Sequence, residues 1–221
     1  MGTAVVYAGG PTSDGLGHGR APSVEPPDAE LVIAADSGLD LAVALGRRVD
    51  LIVGDMDSVT PTSLDHAERY GAEVRRYPMD KEATDLELAL DAAFASGAER
   101  IVVIGSSSGR MDHLLGAALV LASPRYAPAR IEGWLGGALV VPVHDRRSVG
   151  AAVGSTVSIL ALHGPAEGVR TEGLRWPLRG ETLEPGSSRG ISNEAVAEQV
   201  DVGLTHGTAL LVVPARTEVA R

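Results

Sequence analysis

Residues 51–59 read LIVGDMDSV, in which an apolar run is followed by a glycine and by two aspartates, Asp55 and Asp57. The apolar run is typical of a buried parallel strand, and Gly54 allows a sharp turn where that strand ends. The aspartates therefore fall at the carboxyl end of a strand, which is where open α/β sheets bind ligands. If the chain stays extended here, both carboxylates point the same way. Such close like charges favour a bound cation, unless the segment is a polar loop that water screens.

Apolar runs alternate with helical patterns over the first 130 residues. This alternation predicts a parallel sheet with right-handed crossover connections. The predicted strands are 3–8, 31–35, 50–53, 73–77 and 100–104, and the predicted helices are 40–45, 61–70, 84–97 and 111–122.

The pattern changes after about residue 130. Short apolar runs at 138–141, 156–162 and 209–213 are separated by Gly, Pro and Ser, without a long helical pattern. This favours a β-sandwich or a small barrel. We therefore predict an N-terminal α/β domain over residues 1–144 and a C-terminal all-β sandwich domain over residues 145–221.

The composition restricts the possible partners. The formal net charge of −10 argues against nucleic acid or an anionic membrane, because both would be repelled. Cysteine is absent, which removes disulfides, thiolate metal sites and a cysteine nucleophile. No apolar run reaches the length of a membrane span or has the flanks of a signal peptide. We expect a soluble cytoplasmic protein that acts on small molecules.

Four polar clusters follow the predicted strands or open the next helix. Each one alone has a plain structural explanation, such as a helix cap or a solvated turn. Parallel strands end at one edge of a sheet, however, so the four clusters could share a cleft. Carboxylates without nearby His or Cys ligands favour Mg²⁺, and Mg²⁺ beside a lysine and an arginine is typical of phosphoryl transfer. The clusters are AADSG (34–38), GDMDS (54–58), DKEATD (80–85) and GSSSGRMDH (105–113).

The ordered succession of AADSG, VGDMDS, KEATDLELAL, GSSSGRMDH and, far downstream, GISNE (190–194) resembles the thiamine pyrophosphokinase (thiamine diphosphokinase) family. The resemblance implies an α/β domain, a β-sandwich domain and a homodimer with the thiamine pocket between subunits. It also implies transfer of a diphosphoryl group from ATP to the hydroxyl of thiamine, which gives thiamine diphosphate and AMP.

The resemblance implies roles for individual residues. Glu82 stands where the family pattern leads us to expect aspartate, and Ala195 follows SNE where an aromatic residue is common. Trp176 is the second-domain aromatic that could cover thiamine instead, although it could also fill the core. The implied metal ligands are Asp55, Asp57, Asp85 and Glu82; the nucleotide-binding residues are Asp36, Ser37, Lys81, Gly109, Arg110, Asp112 and His113; the catalytic residues are Asp57, Asp85, Lys81 and Arg110; the substrate-binding residues are Ser192 and Asn193. To the substrate-binding residues we add Trp176 as the candidate aromatic of the second domain.

Some alternatives stay open at this point. Either Asp85 or Asp57 could accept the proton of the thiamine hydroxyl. The segment DMDSV also fits the Asp-x-Asp start of a haloacid-dehalogenase-type phosphatase, although the lysine and acidic pair that this reaction needs do not follow as expected. A non-catalytic thiamine or nucleotide sensor on the same fold is the remaining alternative. Release of AMP from ATP in the presence of thiamine separates all three.

Overall fold

The computed structural model of the chain describes residues 2–9, 25–105 and 110–214. The chain divides into two compact units, Met1–Ala117 with Pro128–Gly137, and Ala118–Ala127 with Ala138–Arg221. The predicted domain boundary at residue 144 lies within the second unit.

The first unit is built on a parallel sheet. Its strand order is β4-β3-β2-β1-β5-β6, and every neighbouring pair is parallel. The sheet grows from β1 in one direction as far as β4, and β5 then starts again on the other side of β1. The strands are β1 Thr3–Ala8, β2 Leu31–Ala35, β3 Leu51–Gly54, β4 Glu73–Arg76, β5 Arg100–Gly105 and β6 Arg130–Leu135.

Helices connect these strands. The apolar face of α3 (Ala89, Leu90, Ala93) is fully buried and contacts β1, β2 and β3. The central strands are buried along most of their length, which explains their nearly continuous apolar sequences. The helices are α1 Gly38–Ala44, α2 Pro61–Arg69, α3 Asp85–Ala95 and α4 Met111–Leu121.

The second unit is β-rich and antiparallel. The seventeen-residue strand β9 pairs with β13 over its first half and with β10 and β12 over its second half. Alternate residues are buried near both ends of β9, at 157, 159 and 161 and again at 169 and 171, as the period of two requires for a strand with one face on a core. The alternation is interrupted in between, where the pairing of β9 with β13 shifts register. The strands are β7 Ala138–Val143, β8 Arg146–Gly150, β9 Thr156–Glu172, β10 Arg179–Leu183, β11 Asn193–Glu194, β12 Gln199–Gly203 and β13 His206–Pro214.

This architecture confirms the predicted fold class, a parallel-sheet α/β unit followed by a β-rich unit. Among the residues that the structure describes, no helix is long and apolar enough to cross a membrane.

Candidate active site

The acidic loop that follows β3 is a tight turn. Met56 has a φ of 66°, in the left-handed region, so the chain is not extended between Asp55 and Asp57. Instead, the N–H of Asp57 donates a hydrogen bond to Oδ1 of Asp55 at 3.2 Å. The extended geometry considered in the sequence analysis is therefore not adopted, and the two carboxylates meet because the chain folds back on itself. A methionine rarely adopts positive φ, so this turn stores backbone strain at a candidate site.

A third carboxylate, that of Asp36, joins this pair. Asp36, Asp55 and Asp57 each place one carboxylate oxygen within 4.8 Å of the others. Asp36 follows β2 directly, and its N–H donates to the carbonyl oxygen of Val53 at 2.8 Å. The parallel pairing of β2 with β3 thus places the ends of the two strands side by side. The sequence predicted Asp36 as a nucleotide-binding residue, and the structure adds it to the group that could hold a metal ion.

The electrostatics of Asp36 are unfavourable for its ionised form. Burial raises the pKa of Asp36, the N–H of Ser37 opposes this, and the charges of Asp85, Asp57 and Asp55 add to the increase. Oδ1 of Asp36 is buried and has no hydrogen-bond partner among the described residues. A buried carboxylate oxygen without a donor normally costs free energy, so this atom has the character expected of a cation ligand.

Lys81 lies between two further carboxylates. Its Nζ is 3.0 Å from Oδ1 of Asp85 and 3.6 Å from Oδ2 of Asp55, and its side chain is 13% exposed. Burial opposes the charge of Lys81, but the hydrogen bonds and charges of Asp85 and Asp55 outweigh it, so the pKa of Lys81 is raised. The pKa of Asp55 is lowered, first by the N–H of Asp57 and then by Lys81. Lys81 therefore stays protonated in this cluster.

Gly54 allows these groups to approach each other. A Cβ atom at this position would lie 3.1 Å from Cβ of Asp36 and 3.2 Å from Oδ1 of Asp85. Its φ of 150° also disfavours other residues. A side chain at position 54 would push Asp36 and Asp85 apart, so the glycine fixes how closely the acids pack.

The far end of the acidic loop is anchored by Asp40 of α1. Oδ2 of Asp40 accepts the N–H of Thr60 at 3.1 Å, and Oδ1 accepts the hydroxyl of Thr60 at 2.6 Å. The hydroxyl of Thr60 also contacts that of Ser63 at 2.9 Å. The sequence did not indicate Asp40, although a threonine before Pro61 is a recognisable start of a helix. We assign Asp40 a supporting role in holding the loop at the start of α2.

Asp85 occupies the first turn of α3, and Glu82 lies outside the acidic group. Thr84 caps the helix by accepting the N–H of Glu87 at 3.2 Å. The positive end of the helix dipole favours a carboxylate at Asp85. Glu82 is exposed and is not one of the three residues whose oxygens cluster. Its metal-binding role stays a prediction.

The predicted nucleotide-binding residues at the start of α4 form an exposed pair. The Arg110 guanidinium contacts Oδ2 of Asp112 at 2.6 Å, and both side chains are about two-thirds exposed. This hydrogen bond lowers the pKa of Asp112 to about 2. His113 is exposed, and Gly109 lies outside the described residues. Ser37 precedes α1 and is half-buried. The nucleotide-binding roles of these residues stay predictions.

The GISNE segment of the second unit packs beside Trp176. The side-chain amide of Asn193 makes two hydrogen bonds to the backbone of Trp176. Its Oδ1 atom accepts the N–H of Trp176 at 3.1 Å, and its Nδ2 atom donates to the carbonyl oxygen of Trp176 at 2.7 Å. Trp176 is 58% exposed, so the alternative that its ring fills the core is wrong. Ser192 is exposed, and its φ of 59° again marks backbone strain. Ala195 is fully buried.

Family models match both parts of the chain. The model described as "Thiamin pyrophosphokinase, catalytic domain" matches residues 26–132, which contain the acidic cluster and Lys81. The model described as "Thiamin pyrophosphokinase, vitamin B1 binding domain" matches residues 144–208, which contain Trp176 and GISNE. The two matches together span most of the chain and confirm the resemblance seen in the sequence.

Individual relatives agree with the family models. The chain is 27% identical over 183 residues to "Thiamine pyrophosphokinase 1" of Oryza sativa subsp. japonica, a match that covers 76% of this chain and 67% of the relative. It is 38% identical over 63 residues to "Thiamine pyrophosphokinase" of Bacillus subtilis, covering 28% of this chain and 29% of the relative. The crystal structure of thiamine pyrophosphokinase from Bacillus subtilis superposes with a TM-score of 0.79 at 22% identity, covering 97% of this chain and all of that one. At this identity the superposition shows a shared fold.

Proposed function

Because this chain belongs to the thiamin pyrophosphokinase family, we propose that it transfers a diphosphoryl group from ATP to the hydroxyl of thiamine and releases AMP. That the chain is an enzyme of thiamine diphosphorylation follows from the family itself. The donor, the by-product, the metal and the residue roles are the proposed details.

One observation carries the proposal. The carboxylates of Asp36, Asp55 and Asp57 cluster at the ends of β2 and β3, and Lys81 stands beside them with Asp85. Oxygen ligands beside a lysine are what transfer of a phosphoryl-type group from a nucleotide requires.

These residues fit Mg²⁺. The donor set contains carboxylate oxygens only, which suits a hard cation. Among the described residues, no donor reaches the buried Oδ1 atom of Asp36, and the absence of a side chain at Gly54 leaves room for Asp36 and Asp85. Asp36, Asp55, Asp57 and Asp85 would hold the ion. When bound, Mg²⁺ neutralises charge on the phosphate oxygens.

The side chains of the first unit position the donor and accept the proton. The ammonium group of Lys81 supplies positive charge for the transferring phosphates. The new bond joins the thiamine oxygen to the β-phosphorus, and the bond from that phosphorus to the α-phosphate oxygen breaks. Oδ1 of Asp85 already faces the ammonium group of Lys81 at 3.0 Å, whereas the carboxylate of Asp57 is exposed and open to the thiamine hydroxyl. We therefore assign the hydroxyl proton to Asp57, on the carboxylate oxygen that would not hold the ion.

Arg110 is assigned to the nucleotide phosphates, together with the neighbouring residues of its segment. Its present partner, Asp112, is as exposed as Arg110 itself, and exposed ion pairs contribute little to stability. Replacement of Asp112 by a phosphate group as the partner of Arg110 would therefore cost little free energy. Ser37, Gly109, Asp112 and His113 complete the proposed nucleotide side.

Trp176 and Ser192 are assigned to thiamine. Thiamine carries an aromatic cation, and the face of an indole attracts such a charge. Trp176 offers an exposed ring for this purpose. We further propose that the chain acts as a homodimer, which light scattering at assay concentration would test. A fully active monomer would exclude sites shared between subunits.

The test of the proposed function is a product analysis. The purified chain is mixed with ATP, Mg²⁺ and thiamine, and we expect AMP and thiamine diphosphate in equal amounts. Matched reactions omit thiamine or Mg²⁺, and neither should form AMP or thiamine diphosphate. Formation of ADP and thiamine monophosphate would contradict diphosphoryl transfer. Phosphate release without thiamine would indicate the phosphatase alternative, and binding of thiamine without any product would indicate the sensor.

A further inference from the structure

The segments around Trp176 and Asn193 form a short ladder that Asn193 extends with its side chain. Leu174 pairs with Ala195 as an antiparallel bridge. The N–H of Arg175 donates to the carbonyl oxygen of Glu194 at 2.9 Å. Within the described residues, no backbone hydrogen bond continues this ladder toward Trp176. The side-chain amide of Asn193 makes the next two hydrogen bonds, both to the backbone of Trp176.

The amide of Asn193 has little capacity left for a ligand. Oδ1 also accepts the N–H of Glu194 at 2.9 Å, so both of its lone pairs are used. Nδ2 uses one hydrogen on the carbonyl oxygen of Trp176. The residue as a whole is only 9% exposed. The side chain therefore faces the protein backbone, whereas the indole that it supports is 58% exposed.

We propose that Asn193, which the sequence indicated as a substrate-binding residue, is a positioning residue that acts through Trp176. Its amide fixes the backbone of Trp176, so that the exposed ring is held in one orientation as a stacking surface for the thiamine cation. The inference rests on the proposed function of Trp176. Asn193 therefore contributes to thiamine binding by keeping the indole ring of Trp176 ordered, and not by contacting thiamine directly.

A double-mutant cycle separates the two roles. Asn193→Asp keeps an oxygen for the N–H groups of Trp176 and Glu194 but loses the donor to the Trp176 carbonyl. We expect it to raise the KM for thiamine by about tenfold, the factor given by loss of about 1.4 kcal/mol. The kcat and the KM for ATP should change less than about twofold. In a Trp176→Ala background the same substitution should have no further effect, because coupled residues are not additive.

A fluorescence measurement tests the inference without catalysis. The chain has two tryptophans, so Trp134→Phe leaves Trp176 as the reporter. In this background Asn193→Asp and Asn193→Ala should lower the anisotropy of Trp176 and increase its quenching by acrylamide. Glu184→Gln is the matched control, since it removes one negative charge from an exposed position of the second unit and should leave both readings unchanged.

Two results would overturn the proposal. One is an additive cycle, in which Asn193→Asp raises the KM for thiamine equally with and without the Trp176 ring, because this would mean direct contact. The other is an unchanged Trp176 anisotropy in both variants. If Asn193→Ala fails to fold, the test rests on Asn193→Asp, whose side-chain oxygen still accepts hydrogen bonds from the N–H groups of Trp176 and Glu194. A wild-type protein without thiamine turnover would refute the proposed function alone, since the anisotropy would still report on the positioning.

Discussion

Asp36→Asn should stabilise the protein at neutral pH when no divalent cation is present. In the wild type, Asp36 shares a space with Asp55 and Asp57, with carboxylate oxygens within 4.8 Å of one another. Asparagine has nearly the same size, and it tolerates the φ of 45° at this position better than most residues. The substitution therefore removes a charge with little change in packing.

The size of the effect follows from Coulomb's law. Two unit charges 4.8 Å apart repel by about 0.9 kcal/mol in bulk water and by about 3.5 kcal/mol at an effective dielectric constant of about 20. Water screens the exposed Asp57, and Lys81 offsets the charge of Asp55, so the lower figure applies better to each pair. Removal of two repulsions should raise the free energy of unfolding by about 1 to 2 kcal/mol. This corresponds to a rise of roughly 2 to 8 °C in melting temperature.

The pH dependence has a definite sign. Burial is the main cause that raises the pKa of Asp36 above its ordinary value of 3.8, and the nearby carboxylates add to it. A carboxyl group with a raised folded-state pKa costs stability when it is ionised. That cost is complete above the raised pKa and disappears as the pH falls below 3.8. The advantage of Asp36→Asn should therefore be largest near neutral pH and vanish in acid.

Thermal melts in a Mg²⁺ titration without nucleotide check both parts of the argument. Mg²⁺ should raise the melting temperature of the wild type and raise that of Asp36→Asn less, because one ligand is lost. Asp65→Asn is the matched control, since Asp65 lies exposed on α2 in an ion pair with Arg69 at 3.8 Å and carries the same charge. A lower melting temperature for Asp36→Asn at neutral pH without cation, or an equal gain from Mg²⁺, would refute the reasoning.

Three further predictions concern the same site and the aromatic surface. Asp57→Asn should lower turnover at least about 10²-fold, and Asp55→Asn by a similar or smaller factor, because each weakens the binding of the Mg²⁺ that stabilises the negative charge of the transition state. Normal AMP release from a folded Asp57→Asn protein would contradict the metal site. Lys81→Met should destabilise the protein without cation by about 1 to 3 kcal/mol, because the partly buried carboxylates of Asp55 and Asp85 lose the ammonium group that forms ion pairs with both. Lys81→Arg should retain most of the stability in urea unfolding. Trp176→Ala should raise the KM for thiamine more than that for ATP and leave the melting temperature unchanged, because the ring is exposed; equal effects on both KM values would argue against stacking.

The sequence alone determined the fold class and the location of the acids. The alternation of apolar runs with helical patterns predicted the α/β unit, and short runs between Gly, Pro and Ser predicted the β-rich unit. These patterns are local, because a strand or helix needs its own period to bury one face. The placement of Asp36, Asp55 and Asp57 after strands follows from the same reading. The ordered motifs then indicated the family.

The tertiary structure decided which groups meet and what each one faces. The parallel pairing of β2 with β3 brings Asp36 to the acidic loop. The left-handed turn at Met56 sets the directions of the Asp55 and Asp57 carboxylates in that loop. Likewise, the exposure of Trp176 and the use of the Asn193 amide depend on a contact between residues 17 positions apart. A side-chain hydrogen bond has no sequence period, because its partner is selected by how the strands pack. Position along the chain could therefore predict the candidate residues. Only packing could show that the amide of Asn193 hydrogen-bonds to the backbone of Trp176 and that the Trp176 ring lies at the surface.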